Sequence, residues 1–281
     1  MQRLTWIGFG DVAQHTVPLL TDDFHVAAVK RTPVRLPNRV TLVQGDAKSK
    51  DFLFAHLRDF LPTHIVISLS PREYSEAGYV EAYLKPVQNL VACLTELEQT
   101  PRILFVSSTS VYEQLSGEWV DETAETKPQG HSGRVMLQCE ETLEAYTGQS
   151  LVARASGIYG PGRRRLLQQI ESGQVSLNSN YTNRIHAEDL AGAIVHLIQQ
   201  PTQENHDTFI ITDSTPTPQF EVMLWLAGAM KVQLPESLPI SNAPSARGGN
   251  KRLSNRKLLA TGFKFRYPSY QDGYQALLSQ R

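Results

Sequence analysis

The 281-residue chain lacks a long apolar run, an excess of either charge and any array of cysteines. No stretch approaches the roughly 18 consecutive apolar residues of a membrane span, and the first ten residues resemble a short strand rather than a signal peptide. With 27 Lys and Arg against 28 Asp and Glu, the formal net charge is −1. No global field therefore favours nucleic acid or an anionic membrane as a partner. We expect a cytoplasmic protein, monomeric or homodimeric, whose partner is a small-molecule substrate.

The two cysteines, Cys93 and Cys139, each fall inside a predicted helix and lie at no metal-type spacing. We therefore expect two reduced thiols and no metal site. Hydrophobic residues make up 41% of the chain and charged residues 20%, which is the balance of a globular protein with a buried core.

Short β-branched runs alternate with helical stretches over the first 156 residues. The predicted strands are residues 4–9, 24–30, 40–46, 64–70, 102–108 and 150–156, and the predicted helices are residues 12–20, 51–61, 73–98 and 133–148. Strands separated by single helices imply right-handed βαβ units around a buried parallel sheet. We therefore predict an α/β fold, a doubly wound Rossmann-type parallel sheet with a small C-terminal substrate lobe.

The alternation weakens after residue 157. The later predicted elements are helices at 187–200, 219–231 and 254–261 and a strand at 207–213. The predicted dinucleotide-binding Rossmann domain comprises residues 1–160 and 181–215, and the predicted substrate-binding lobe comprises residues 161–180 and 216–281. Ligands of open α/β sheets bind outside the carboxyl ends of the strands, so we expect the lobe to close over that edge.

The first predicted strand runs into a glycine motif that continues into a helix. Gly8 and Gly10 match the first two glycines of G-x-G-x-x-G/A, and Ala13 matches the third small residue. Such a loop lets the backbone approach a pyrophosphate, and the helix start with Asp11 and Val12 supplies N–H donors. The motif therefore predicts a dinucleotide site.

The end of the second predicted strand distinguishes the two nicotinamide dinucleotides. An acid there would bind the ribose 2′-hydroxyl of NAD, whereas a cation suits the 2′-phosphate of NADP. Lys30 and Arg31 occupy this position. We therefore predict NADP, with NAD less favoured. Both side chains could equally be solvated at a strand end.

Several segments, taken in order, resemble one known family. Besides the glycine motif these are Gly45-Asp46, F-V-S-S-T-S-V-Y (105–112), R-A-S-G-I-Y-G-P-G (154–162), R-I-H-A-E-D-L-A (184–191) and K-R-L-S-N-R-K-L-L (251–259). On these segments the chain resembles the extended or atypical branch of the short-chain dehydrogenase/reductase superfamily. More narrowly, it resembles the NAD-dependent epimerase/dehydratase family and its nucleoside-diphosphate-sugar epimerases.

The resemblance implies further cofactor contacts at the ends of three strands. These are Asp46 and Ala47 beside the adenine, Ser68, Leu69 and Ser70 beside the nicotinamide ribose, and Ala155, Gly157 and Ile158 beside the nicotinamide amide. Ser108 falls where the family places the hydroxyl that bonds a substrate oxygen.

The resemblance fails at the family's catalytic Tyr-x-x-x-Lys pair. In the family this pair lies a few residues before an acidic residue, which is Glu140 here. Counting back from Glu140 puts Ser132 at the tyrosine position and Met136 at the lysine position, and a shift of one residue gives Gly133 and Leu137. The lysine charge normally lowers the tyrosine pKa from about 10 toward neutrality, and a serine beside a thioether has no such activation. Loss of a general acid/base typically removes about 10²–10⁴-fold in rate.

The remaining catalytic candidates are Ser108, His131 and Ser132. His131 titrates near neutral pH and adjoins the vacated tyrosine position, although a histidine just before a helix is often a capping or surface residue. Ser132 is equally suited to cap the helix, because its oxygen can accept from backbone N–H groups two or three positions on. Tyr112 is a weaker acid/base candidate, since the family's tyrosine at that position is generally structural.

The sequence also offers side chains for an anionic or polar substrate. In addition to Ser108 they are Tyr112, Arg134, Arg163 and Arg252. Arginine suits a diphosphate or a carboxylate, but Arg134 could instead pair with Glu122, and charge runs are usually solvated.

Together these features predict an NAD(P)-binding oxidoreductase or epimerase of the atypical short-chain branch, acting on a small polar or nucleotide-sugar substrate. The alternative is a non-catalytic dinucleotide-sensing or regulatory binding protein, because intact glycines without a Tyr/Lys pair are what such a protein would show. A protein-interaction scaffold without nucleotide is a third possibility, against which the glycine motif argues.

Overall fold

A computed structural model describes residues 1–34, 36–37, 39–201, 204–235, 237–243 and 249–279. It divides into two compact units. Unit 1 comprises Met1–Val111, Thr126–Arg154 and Ala191–Phe209, and unit 2 comprises Tyr112–Glu125, Ala155–Leu190 and Ile210–Arg281. Within the described ranges, no helix has the length and apolarity needed to cross a membrane.

The strands include a central seven-stranded sheet. In chain order they are β1 (Gln2–Ile7), β2 (Phe24–Lys30), β3 (Val40–Gln44), β4 (His64–Ile67), β5 (Arg102–Ser108), β6 (Glu118–Val120), β7 (Ser150–Ala155), β8 (Gly157–Tyr159), β9 (Leu177–Asn178), β10 (Tyr181–Thr182), β11 (Arg184–His186), β12 (His206–Ile211), β13 (Thr217–Pro218), β14 (Ile240–Ser241) and β15 (Lys251–Leu253). The central sheet has the order β12-β7-β5-β4-β1-β2-β3, and the pairs among β1 to β5 are parallel.

This order reverses at β1, as in a doubly wound sheet, so the predicted Rossmann-type architecture is confirmed. Most residues of β1, β2 and β7 are buried, as expected for strands covered on both faces. Ile7 pairs level with both Val29 and Ile67, so β1, β2 and β4 end at one edge of the sheet. That edge carries the glycine motif.

The predicted helices are present apart from shifts at their ends and one irregular stretch, and two further helices, at Arg165–Glu171 and Tyr270–Ser279, were not predicted. The helices are α1 (Asp11–Thr16), α2 (Lys50–Phe60), α3 (Glu76–Tyr79), α4 (Lys85–Glu96), α5 (His131–Glu144), α6 (Arg165–Glu171), α7 (Ala187–Gln199), α8 (Gln219–Ala229), α9 (Arg256–Ala260) and α10 (Tyr270–Ser279). The helix predicted over 73–98 is interrupted by a π-helical stretch at Val80–Leu84. Pro86 lies two residues after it; proline lacks an N–H and crowds the carbonyl four residues before, which favours the wider π-helical spacing there.

Unit 2 combines short strand pairs with a helical core. Its pairs are β8 with β11, β6 with β15 and β9 with β14, all parallel, and β10 with β13, which is antiparallel. Side chains of α6, α8 and α10 bury one apolar cluster together with Tyr159. The segment after residue 157 has a turn-rich sequence, but in the structure it begins with the strand β8.

Candidate cofactor site and active site

The glycine motif forms a tight loop between β1 and α1. Gly8 has φ +88°, a left-handed conformation, and a Cβ there would lie 2.5 Å from the Ser68 carbonyl oxygen and 2.8 Å from Leu69 Cδ2. The Gly10 N–H donates to the Gly8 carbonyl at 2.8 Å, and the Ser68 hydroxyl donates to the same carbonyl at 3.2 Å. Only glycine suits position 8, and the loop brings four of the predicted cofactor residues together.

Helix α1 begins at Asp11, and Gly10, its N-cap, offers no side chain to the helix start. The Asp11 carboxylate lies 3.4 Å from His15 one turn further on. The Val12 carbonyl accepts from the Thr16 hydroxyl at 2.7 Å. Both predicted residues therefore lie on the first turn, directly after the loop.

The end of β2 carries two cations in different roles. Lys30 Nζ donates to the Phe9 carbonyl at 2.9 Å, so the ammonium lies against the glycine loop. The Arg31 side chain is exposed, and its backbone carbonyl accepts from Gln44 Nε2 at 3.2 Å. Of the two, Arg31 is the one whose side chain is available to an external anion.

Asp46 and Ala47 form the turn between β3 and α2. Asp46 Oδ1 accepts from the Lys48 N–H at 3.0 Å, and the Asp46 carbonyl accepts from the Ser49 N–H at 2.9 Å. Ala47 is buried, whereas Ser70, beyond the end of β4, is exposed. The Asp46 carboxylate thus organises its own turn with one of its two oxygens.

Two adjacent serines at the end of β5 have opposite environments. Ser107 is buried, and its hydroxyl donates to Glu140 Oε1 at 2.5 Å. Ser108 is half-buried, and its oxygen accepts from the Ser110 N–H at 3.1 Å. Within the described part of the chain the Ser108 O–H has no acceptor, so it can donate to a substrate oxygen.

Ser107, Glu140 and Arg154 form a buried polar cluster for which the sequence predicts no role. Arg154 Nη2 lies 2.6 Å from Glu140 Oε2, and its Nε lies 3.2 Å from both carboxylate oxygens. Both charged side chains are more than nine-tenths buried. This bidentate pair fixes the middle of α5 against the ends of β5 and β7.

The start of α5 corrects one prediction. The helix begins at His131, and its N-cap is Gly130, in an extended conformation with no side-chain cap. Ser132 therefore lies inside the first turn, from which its hydroxyl cannot cap the helix, and the predicted capping role is wrong. Ser132 lies one and two turns before Met136 and Glu140 on the same face of α5, and Met136 is buried at 3% exposure.

Gly133 explains how closely α5 approaches the loop after β5. A Cβ at this position would overlap the Ser110 carbonyl oxygen and lie 2.5 Å from Pro128 Cβ. The helix start is therefore packed on the backbone two residues beyond Ser108. His131 and Ser132 belong to the same first turn of α5 as this contact.

Arg134 is exposed on α5, whereas His131 and Ser132 are half-buried. Its Nη2 lies 3.1 Å from Glu76 Oε2, its Nη1 donates to the Gln129 carbonyl, and its side chain is exposed. With Leu137, Gln138 and Glu141 it lines a surface groove on the outer face of α5. The predicted pairing with Glu122 is wrong, because that carboxylate accepts from the Ile210 N–H at 2.7 Å and Glu76 takes its place.

The predicted site residues of unit 2 divide into buried and exposed positions. Tyr112 has no exposed surface, and its carbonyl accepts from the ammonium of Lys251, itself buried, at 2.8 Å. A substrate therefore has no access to the Tyr112 ring in this structure, which corrects the predicted contact. Burial lowers the pKa of Lys251 to about 8.

The segment expected beside the nicotinamide lies at the start of unit 2. Ala155 is buried at the end of β7, Gly157 is exposed and Ile158 is half-buried in β8, which pairs with β11. Arg163 is exposed after two glycines with positive φ, Gly160 and Gly162, and its N–H donates to the Gly160 carbonyl at 3.0 Å.

Arg252 lies in β15, where it faces Trp119 of the paired strand β6. Its Nε donates to the Gly117 carbonyl at 2.6 Å. The guanidinium carbon lies 5.2 Å from the centre of the Trp119 ring and 5.1 Å from that of Tyr181. Arg163 is thus exposed on unit 2, whereas Arg252 is half-buried and held on several sides.

Comparison with known proteins agrees with this arrangement. The model of the NAD dependent epimerase/dehydratase family matches residues 8–211. The protein YeeZ of Escherichia coli strain K12 is 32% identical over 208 residues, which cover 73% of this chain and 71% of YeeZ. A solved structure from Methylobacillus flagellatus, described provisionally as an NAD-dependent epimerase/dehydratase, is 31% identical, has a TM-score of 0.82 and covers 99% of this chain and 98% of its own.

More distant structures share the fold. The UDP-glucose 4-epimerase of Thermus thermophilus, solved in complex with NAD, is 20% identical with a TM-score of 0.78, over 97% of this chain and 96% of its own. The predicted family and fold are both confirmed. The chain belongs to the NAD-dependent epimerase/dehydratase family.

Proposed function

We propose that this protein binds a nicotinamide dinucleotide, NADP in preference to NAD, and uses it to oxidise or reduce a carbon–oxygen centre of a small polar substrate, a nucleotide sugar. The glycine loop carries the proposal, because Gly10 leaves the start of α1 without a side-chain cap and neither glycine of the turn carries a Cβ. The family supports it, as does the UDP-glucose 4-epimerase of the same fold, which was solved with NAD.

The cofactor preference rests on Arg31. Its side chain is exposed at the end of β2 and makes no bond within the described ranges, whereas Lys30 is engaged by the Phe9 carbonyl. A guanidinium here would pair with a 2′-phosphate in a bidentate manner. We expect Arg31→Gln to weaken NADPH binding about tenfold or more and to leave NADH binding unchanged.

A fluorescence titration of dialysed protein with NADPH and NADH tests this preference. Arg39→Gln is the matched control, because Arg39 precedes β3 and lies at the opposite edge of the sheet. Equal affinity of the wild type for both cofactors would contradict the NADP assignment. Binding of neither cofactor would remove the proposed function altogether.

His131 is proposed as the acid/base in place of the missing tyrosine. Its Nε2 lies 3.0 Å from the Tyr74 carbonyl oxygen, and the Tyr79 ring meets the imidazole edge-on at 5.5 Å. Because a carbonyl only accepts, Nε2 carries the proton in this bond, and Nδ1 presents its lone pair. No residue that the structure describes bonds Nδ1, so it is available to a substrate proton.

The proposed division of labour follows from these side chains. When bound, the nicotinamide supplies a hydride acceptor or donor. Ser108 donates its O–H to the reacting oxygen and orients the substrate, and His131 Nδ1 takes the proton that leaves a hydroxyl during oxidation. In the reverse direction the protonated imidazole returns it.

Kinetics of hydride exchange with a panel of sugar nucleotides test this role. We expect His131→Gln to lower kcat about 10²–10⁴-fold and to leave the affinity for NADPH unchanged. His25→Gln, in β2, is the control and should leave both unchanged. An unaltered kcat in His131→Gln would refute the role without touching cofactor binding.

A non-catalytic dinucleotide-binding protein is the second candidate function. The buried Met136 thioether at the family's lysine position favours it, since no ammonium of α5 is available to activate a proton donor. Tight NADPH binding with no hydride exchange across the substrate panel would support this candidate over turnover.

A further inference from the structure

The first carbonyl of the glycine loop is held by a relay of hydrogen bonds that begins in the core of unit 1. Trp6 has no exposed surface, and its indole N–H donates to Ser68 Oγ at 2.7 Å. Because Oγ accepts that bond, its own O–H is left to donate, and it does so to the Gly8 carbonyl at 3.2 Å. The Gly10 N–H donates to the same carbonyl at 2.8 Å. Two donors therefore fix the direction of the Gly8 carbonyl.

The next two carbonyls of the loop are held as well. Lys30, the last residue of β2, donates from Nζ to the Phe9 carbonyl at 2.9 Å. The Gly10 carbonyl accepts from the Gln14 N–H at 3.0 Å, a backbone bond at the start of α1. Among the described residues no carboxylate pairs with Lys30, so its positive charge stays next to the loop.

The direction of these carbonyls matters for a bound anion. A carbonyl oxygen carries a partial negative charge and repels a diphosphate, whereas the N–H groups of a helix start attract one. The peptide unit is planar, so a carbonyl that is held by a donor cannot turn toward the ligand unless the whole unit rotates. A loop with all three carbonyls held therefore needs little reordering when a diphosphate binds, and less affinity is lost to ordering.

We propose that Ser68 and Lys30 are positioning residues that hold the glycine loop in its anion-binding conformation, with Trp6 orienting the Ser68 hydroxyl. This inference rests on the proposed function, because it concerns the binding of the same dinucleotide. It gives Lys30 a task other than pairing with the 2′-phosphate. Since the diphosphate is common to NADP and NAD, both residues act on the two cofactors equally, whereas Arg31 acts on NADP alone.

Affinities for both cofactors separate positioning from direct recognition of charge. The intact protein is titrated with NADPH and with NADH, and binding is followed by fluorescence. We expect Ser68→Ala to weaken each cofactor about three- to tenfold, and Lys30→Met to weaken each about tenfold or more, because a bond from a charged donor is stronger. The ratio of the two affinities should keep its wild-type value in both variants, whereas Arg31→Gln should change it.

Two matched controls lie in unit 2. The Ser172 hydroxyl donates to the Gln169 carbonyl at 3.2 Å, which is the same kind of bond at the end of α6. Lys264 is exposed between α9 and α10, and its side chain bonds none of the described residues. Ser172→Ala and Lys264→Met should therefore leave the affinities for both cofactors unchanged.

Backbone amide exchange without cofactor measures the loop itself. Peptides that cover residues 8–14 contain the Gly10 and Gln14 N–H groups, whose hydrogen bonds depend on the shape of the loop. Followed by mass spectrometry, their exchange should be faster in Ser68→Ala and in Lys30→Met, while peptides from β5 should exchange as in the wild type. A change confined to the loop distinguishes positioning from a general loss of stability.

Two outcomes would overturn the inference. One is Ser68→Ala with wild-type affinities and wild-type exchange; the other is a loss of NADPH affinity alone in Lys30→Met, which would make Lys30 a ligand of the 2′-phosphate. If Ser68→Ala fails to fold, Ser68→Cys takes its place, because an S–H is a weak donor on a side chain of similar size. If the wild type binds neither cofactor, the proposed function fails, and amide exchange alone decides whether the two side chains hold the loop.

Discussion

Replacing Gly133 with alanine should destabilise the protein, against the usual behaviour of a glycine inside a helix. Gly→Ala in a helix interior ordinarily stabilises by about 1 kcal/mol. At Gly133 the new Cβ would overlap the Ser110 carbonyl oxygen and lie 2.5 Å from Pro128 Cβ. Carbon atoms prefer about 3.5–4.0 Å, so α5 or the segment after β5 must move by about 1 Å.

Such overpacking costs about 1–3 kcal/mol, so after the helical gain we expect a net loss of about 1–2 kcal/mol. Gly228 in α8 is the matched control, because no described atom lies within 4 Å of a Cβ built there. Gly228→Ala should therefore stabilise by up to about 1 kcal/mol. Urea unfolding followed by circular dichroism measures both variants.

The contrast between the two glycines is the test. If Gly133→Ala raises the unfolding midpoint as Gly228→Ala does, α5 is not packed on the loop after β5 in the way described. The same displacement would move His131 and Ser132 relative to Ser108. We therefore expect Gly133→Ala to reduce kcat of any hydride exchange more than it reduces cofactor affinity.

Three further predictions concern buried groups. Glu140→Gln removes the carboxylate charge that faces a buried guanidinium, so we expect the free energy of unfolding in urea to fall by about 3–5 kcal/mol. Glu76→Gln breaks an exposed ion pair and should lower it by under about 1 kcal/mol. Equal losses in the two variants would contradict the burial of the Glu140 pair. Burial raises the pKa of Asp213 from 3.8 to about 7. The folded state therefore binds the extra proton, stability should fall as pH rises from about 4 to 7, and Asp213→Asn should flatten that slope. Cys93 and Cys139 are buried, and burial raises the pKa of both thiols, to about 12 at Cys139; a thiol reagent should modify them only after unfolding.

The fold could be predicted because its signals are local. The apolar strand runs and the helices between them appear in the sequence with their own periodicity, and Gly8 and Gly10 mark the loop at the first strand end. The helix predicted over 73–98 is right in type, and Pro86 marks the place where its regularity fails, but the π-helical form of the stretch before it is not visible in the sequence. That irregularity depends on how the turn before Pro86 adjusts, which no periodicity shows.

The site could be predicted only in part. The chemical types are visible at Ser108, His131 and Arg252, and so is the loss of the Tyr/Lys pair at Ser132. Which neighbour each side chain meets is not visible, because the partners are far away in the chain. Arg134 meets Glu76 rather than Glu122, and the Tyr74 carbonyl that sets the His131 proton comes from the segment before α3.

By itself the sequence determined the doubly wound sheet, the family and the place of the dinucleotide loop, since each depends on short patterns of glycine and apolar spacing. Only the tertiary structure decided that Ser107 is locked to Glu140 while the adjacent Ser108 keeps a free O–H within the described part of the chain, and that Arg252 lies fixed between two rings. Neighbours in sequence on a strand point to opposite faces, and their environments are built by segments tens of residues away. Contacts of that kind exist only after the chain has folded.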